Sequence, residues 1–107
     1  MKTEKVIMVW PEQSPEVTAV ASFFLELLFL VNNTICCYYP FDDDDICVIC
    51  YDNAKSLGLS YNRTMKNPHT SEPLGDMYGP FIILATNKGG LFRGLTEEEI
   101  NLYIKSF

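Results

Sequence analysis

The sequence predicts an α+β domain: a mostly antiparallel sheet of four or five strands, packed against a long N-terminal helix, with a short C-terminal helix alongside. Three observations predict it. Short runs of β-branched and apolar residues recur along the chain, at Lys5–Trp10, Thr34–Phe41, Ile46–Tyr51 and Gly79–Ala85. A helix-start signal, Ser14-Pro15-Glu16, precedes a long apolar stretch. Thr96-Glu97-Glu98-Glu99 has the form of a capping box. At 107 residues the chain is one domain, 1–107, because two halves would each lack a workable core.

Lys5–Trp10 (KVIMVW) reads as the first strand, ended by Pro11. Ser14 as N-cap, Pro15 at the first helical position and Glu16 in the first turn then predict a helix to about Val31, stopped by Asn32-Asn33. Val17, Val20, Ala21, Phe24, Leu28 and Val31 fall on one face of it. Phe23, Leu25, Leu27, Phe29 and Leu30 spill around the rest, more apolar surface than one core face needs. A membrane span is excluded by its short length and by Thr18, Ser22 and Glu26. The excess predicts a partner or a second copy of the chain over Phe23, Leu27, Phe29 and Leu30, against the alternative of a loop of the same chain.

Thr34–Phe41 and Ile46–Tyr51 read as an antiparallel hairpin around Asp42-Asp43-Asp44-Asp45. Four adjacent carboxylates are too costly to bury together, so this run is a solvated turn that makes one end of the protein negative. Asp52–Lys55 is turn-like and Leu57–Met65 has no clear period. Asn67–Asp76, with Pro68, Pro73 and Gly75, reads as a mobile loop. The continuous apolar run to Ala85 reads as a central strand buried on both faces. Asn87–Gly90 is a turn, and Leu91–Arg93 a short strand. In the last helix Ile100, Tyr103, Ile104 and Phe107 form the apolar face.

The formal net charge is −6, from 8 basic and 14 acidic residues. Only Lys55, Arg63 and Lys66 group loosely, so direct nucleic-acid binding, which needs a basic face, is not expected. An acidic surface suits basic protein partners instead. Of the four cysteines, Cys47 and Cys50 have C-x-x-C spacing. A zinc site is the sharp interpretation. Small hydrophobes in strands is the stronger one, since Cys36, Cys37 and Cys47 sit among Ile, Val and Tyr, and adjacent Cys36 and Cys37 point to opposite faces. No secretory signal is evident, which predicts reduced thiols in the cytoplasm.

Three blocks carry a resemblance. They are Tyr39-Pro40-Phe41 with the Asp run and the Ile46 strand, Gly58-Leu59 with Asn62-Arg63, and Gly79–Ile83 followed by Leu95–Ile100 and the last turn at Phe107. In order and spacing they resemble the small proteins of domain-of-unknown-function family three-eight-four-six. The likeness runs through nearly the whole chain. It departs at Asn32-Asn33, where such proteins tend to have Gly-Gly, and in the greasier stretch before it. The resemblance implies a setting on mobile elements, plasmids and phages of gut Firmicutes, near antirestriction genes. It implies no catalytic residues.

The residues themselves give no catalytic set. The lone His69 lies in the Pro-rich loop, and Ser60, Thr64 and Ser71 lack an evident base. The Asp run lacks the alternation, mid-loop Gly and distal Glu of a calcium loop, and Gly89-Gly90 lacks the lysine of a phosphate loop. Arg63 has two readings, a binding residue and, the stronger, the partner of a nearby carboxylate that fixes the irregular segment. No metal or cofactor is expected.

The leading expectation is a non-enzymatic inhibitor. Asp42, Asp43, Asp44, Asp45 and Asp52, with Glu97–Glu99, would occupy the basic channel of a Cas nuclease such as Cas9, or of a restriction enzyme. A second is an oligomerising or adaptor module, for example a homodimer, driven by the apolar first helix. An unrecognised enzyme is the third.

Overall fold

A computed structural model describes residues 3–21, 35–41, 45–51, 53–86 and 91–107, with the backbone alone at Ile35, Cys36 and Tyr38. Its elements are strands β1 (Thr3–Val9), β2 (Glu16–Ala21), β3 (Ile35–Tyr38), β4 (Ile46–Tyr51), β5 (Tyr61–Lys66), β6 (Pro73–Tyr78), β7 (Phe81–Thr86) and β8 (Phe92–Arg93), then helix α1 (Glu97–Tyr103) and a 3₁₀ turn, Ile104–Ser106. The main sheet is six-stranded, in the order β2-β1-β7-β4-β3, with β8 also on β7; β5 and β6 form a separate hairpin. Every pairing described is antiparallel.

The expected α+β architecture is therefore corrected to a mostly β fold. Among the described residues the one α-helix is α1, no long N-terminal helix is found, and residues 22–31 of the expected helix lie outside them. Glu16–Ala21 is an edge strand in register with β1 from Met8↔Glu16 to Thr3↔Ala21. The helix-start signals lose here because Val17, Thr18 and Val20 are β-branched and stiff at χ1, and β1 offers an open edge. Pro15, without a donor, stands just before the strand begins, where it breaks no ladder bond. Asn32-Asn33 and the turn at 87–90 lie outside the described residues. A second correction concerns 67–76: its last residues belong to β6, paired with β5 from Lys66↔Pro73 to Tyr61↔Tyr78.

β7 is the centre, flanked by β1 and β4. Its alternate residues feed two apolar clusters. Phe81, Ile83 and Ala85 join Ile7, Val9, Ile46, Val48, Met65, Ile100 and Tyr103 on one face. Leu84 joins Val6, Cys47 and Ile49 on the other. Burial on both faces explains the unbroken apolar run of this strand. The β5–β6 hairpin and α1 contribute to the first cluster alone. Phe107 anchors the chain end there, its ring 5.5 Å from Phe81 and 6.4 Å from Phe41.

β5 explains why its sequence shows no period. Its register with β6 shifts twice, between Tyr61 and Arg63 and between Met65 and Lys66. Each irregularity breaks the two-residue alternation, so the buried residues, Asn62 and Met65, stand three apart. Gly79, just before β7, has φ +71°, and a Cβ there would lie 2.8 Å from Leu59 Cδ1. Glycine avoids both the strain and the clash.

Among the described residues no helix is long and apolar enough to cross a membrane.

Candidate functional site

The starts of β1 and β4, the end of β7 and the start of α1 meet at one end of the main sheet. Ile7 pairs with Ile83, so the first half of β1 lies beside the second half of β7. The Thr86 N–H donates to the Asp45 carbonyl at 2.8 Å, placing Asp45 at the same end. β8 enters between β1 and β7: it pairs with Ala85 and Thr86, and the Leu95 N–H donates to the Lys5 carbonyl at 2.7 Å.

This end carries Glu4, Asp45, Glu97, Glu98 and Glu99. The described cations beside them are Lys5 and Arg93. Glu99 takes the most contacts. Its Oε1 and Oε2 accept from Arg93 Nη1 and Nη2 at 2.9 and 3.0 Å. Oε1 also accepts the Thr96 N–H at 2.9 Å, while Thr96 Oγ1 accepts the Glu99 N–H at 3.2 Å, which completes the capping box. The Arg93 guanidinium holds the Glu99 carboxyl below its ordinary value, with burial opposing and the Thr96 backbone N–H assisting. Glu97 meets Lys5 at 2.9 Å in an exposed pair. Glu4 Oε2 accepts the Gly94 N–H at 3.0 Å, and a Cβ on Gly94 would fall 2.5 Å from that oxygen. Asp45, Glu97 and Glu98 are exposed.

Of the residues expected to bind a partner, the structure places Asp45 and Glu97–Glu99 here. Asp42, Asp43, Asp44 and Asp52 lie outside the described residues, as do Phe23, Leu27, Phe29 and Leu30. The apolar patch was expected on a helix whose opening residues, 16–21, are strand β2.

The cysteines separate by face. Cys47 packs in the second cluster and Cys50 against the first, so the C-x-x-C pair cannot chelate one ion together. Cys37, exposed on β3, shares the second face with buried Cys47. A hydrogen bond from the Cys47 thiol brings the Cys37 pKa down to about 7, against the effect of burial and with help from Tyr39. The same bond, with burial, pushes the Cys47 thiol up. Negative charge on this pair therefore resides on Cys37. Among the described residues no three His, Cys, Asp or Glu side chains converge as a metal site.

The opposite end of the sheet is organised by Asn62 and Arg63. Buried Asn62 donates from Nδ2 to the carbonyls of Val9, at 3.0 Å, and Gly79, at 2.9 Å. Its Oδ1 accepts Arg63 Nε at 2.8 Å. Arg63 Nη2 donates to the Trp10 carbonyl at 3.0 Å and to the Gln13 carbonyl. The expected carboxylate partner of Arg63 is thus corrected: its hydrogens go to an amide and two carbonyls. Arg63 ties the β1–β2 turn to β5, a role that no local sequence signal announces. His69 is exposed in a turn closed by Asn67 Oδ1, which accepts the His69 and Thr70 N–H groups at 2.8 and 3.1 Å.

A family model described as Domain of unknown function (DUF3846) matches residues 1–107, the whole chain, and the chain belongs to that family. No curated protein and no solved structure matches it.

Proposed function

We propose that this member of the DUF3846 family is a non-catalytic binding protein that presents its acidic end to a basic, nucleic-acid-handling protein. The proposed partner is a host-defence nuclease, either Cas9-like or a restriction enzyme, and the proposed setting is a mobile element or phage. The observation that supports it is the concentration of Glu4, Asp45, Glu97, Glu98 and Glu99 around one end of a chain with net charge −6. Glu97 and Glu98 project from the first turn of α1, which the capping box fixes. Carboxylates on a rigid frame lose little freedom on meeting a channel of Lys and Arg. Asp42–Asp44, which adjoin Asp45 in sequence, belong to the proposed binding set.

The test is a cleavage assay in which Cas9 and a panel of restriction enzymes are titrated with the protein, alongside gel filtration of the mixtures. The proposal expects inhibition of at least one nuclease and a co-eluting complex that weakens as salt rises. Joint substitution Asp45→Asn, Glu97→Gln and Glu98→Gln should weaken inhibition, and extending it to Asp42–Asp44 should weaken it further. Unimpaired cleavage throughout, with no complex, refutes it.

A further inference from the structure

Behind Arg63, at the end of the sheet away from the carboxylates, lies a cleft of about 450 Å³ lined by Tyr61, Arg63, Lys66, Lys105, Ser106 and Phe107, with Thr64 in its wall. In a protein with six more negative than positive charges, three of the 8 basic residues converge on this one hollow. We propose that it binds a small organic phosphate, the phosphate held by Arg63, Lys66 and Lys105 and the organic part against Tyr61 and Phe107.

Four features carry the inference. First, the cations are not neutralised locally: Arg63 bonds to Asn62 and to backbone carbonyls, and Lys66 and Lys105 have no carboxylate partner among the described residues. Like charges gathered in one hollow repel one another, and a dianionic phosphate relieves that repulsion. Second, Arg63 is held in place by its bonds to Asn62, Trp10 and Gln13, so its charge is positioned before any ligand arrives. Third, Ser106 is 1% exposed and its Oγ has no hydrogen-bond partner, a donor left over beside the cleft. Fourth, the remaining hydroxyls have directions. Thr64 Oγ1 donates to Asp76 Oδ1 at 2.7 Å, so Tyr61 Oη donates to Thr64 Oγ1, also at 2.7 Å. That chain draws the Asp76 carboxylate toward Thr64, and Asp76 does not line the cleft.

The volume decides between a bare anion and an ester. Small-molecule sites commonly span roughly 300–1,000 Å³, so inorganic phosphate would leave most of this hollow empty. A half-exposed Tyr61 ring, braced edge-on by Tyr78 with centroids 5.6 Å apart, offers a flat wall to the remainder. Three cations in one hollow form no track along a polymer backbone, so the inference is a single phosphorylated small molecule and not a nucleic-acid strand.

The experiment is isothermal titration calorimetry with adenosine monophosphate, ribose 5-phosphate, inorganic phosphate and adenosine as separate probes. Saturable binding of either phosphate ester, with adenosine silent, is expected; the stronger ester identifies the organic part. Lys66 and Lys105 are exposed, so Lys66→Gln with Lys105→Gln should leave the fold intact by circular dichroism and weaken the ester by about tenfold or more. Ser106→Ala should weaken it by a smaller factor of about two to five. The inference is overturned if no phosphate probe binds up to about 10 mM, the millimolar limit of useful affinity. It is overturned equally if the esters bind the doubly substituted protein unchanged, or if inorganic phosphate binds as tightly as both esters.

Discussion

At the acidic end of the sheet, Glu99 grips Arg93 through two hydrogen bonds, Glu97 meets Lys5, and Glu4 receives the Gly94 N–H. At the other end, Arg63 faces carbonyls and an amide, while Lys66 and Lys105 have no carboxylate partner among the described residues. The minority charge is the less neutralised one. Much of the acidic end's chemistry goes into joining β8 and α1 to β1, so its carboxylates serve the fold first and a partner only through those left exposed. In the cleft the order is reversed. Asn62 and Arg63 do the structural bonding through an amide and backbone carbonyls, which leaves the positive charges uncancelled.

Substitutions separate the two cases, and Asn62→Ala is expected to do the most damage. It leaves the Val9 and Gly79 carbonyls without donors and removes the support of Arg63, a loss of about 2–4 kcal/mol by urea denaturation. A loss near zero would mean that the cleft does not depend on that frame. Gly79→Ala comes next, at about 1–3 kcal/mol from the positive φ and the Leu59 clash. Glu99→Gln should cost about 1–2 kcal/mol through the bidentate pair with Arg93, since a glutamine oxygen can still accept the Thr96 N–H of the capping box. Its pH signature is distinctive. Glu99 has a depressed value in the fold, so its contribution is full above the ordinary glutamate range and disappears as pH falls through the folded value. Thermal melts of wild type and variant should therefore converge in acid. The smallest effect is expected for Glu97→Gln, since the pair with Lys5 is 52% and 73% exposed and screened by water; less than about 1 kcal/mol should be lost, and less again in high salt. A large loss there would show that even the exposed carboxylates are structural, leaving the acidic end little to offer a partner.

The sequence showed those parts of the fold whose signals are local. The apolar runs at the first strand, at 46–51 and at 79–85 are strands, and Thr96 with Glu99 caps α1. β2 misled because Ser14-Pro15-Glu16 and the spacing of Val17, Val20 and Ala21 satisfy a helix locally, while the pairing with β1 that decides the matter is not a local property. β5 and β6 were obscured by register shifts and by Gly75 at φ +149°. Of the acidic site, Asp45 and Glu97–Glu99 could be located from sequence, but their meeting with Glu4 could not. Of the cleft, the grouping of Arg63 with Lys66 was legible, but the arrival of Lys105 beside them was not, because it depends on where the chain end packs, with Phe107 against Phe41 and Phe81. The expected sites at Asp42–Asp44, Asp52 and Phe23–Leu30 fall outside the described residues.

β7 stands between β1 and β4, yet it follows both of them in the chain. Until residues 81–86 emerge, the β1–β2 and β3–β4 hairpins have no shared strand to hold them together, and their inward faces have no common core. Assembly of the nascent chain therefore waits on a late insertion that joins two early pieces. Such long-range closure makes folding slow for the chain's size, and truncation before residue 81 should yield unjoined hairpins, β1–β2, β3–β4 and β5–β6, not a smaller domain.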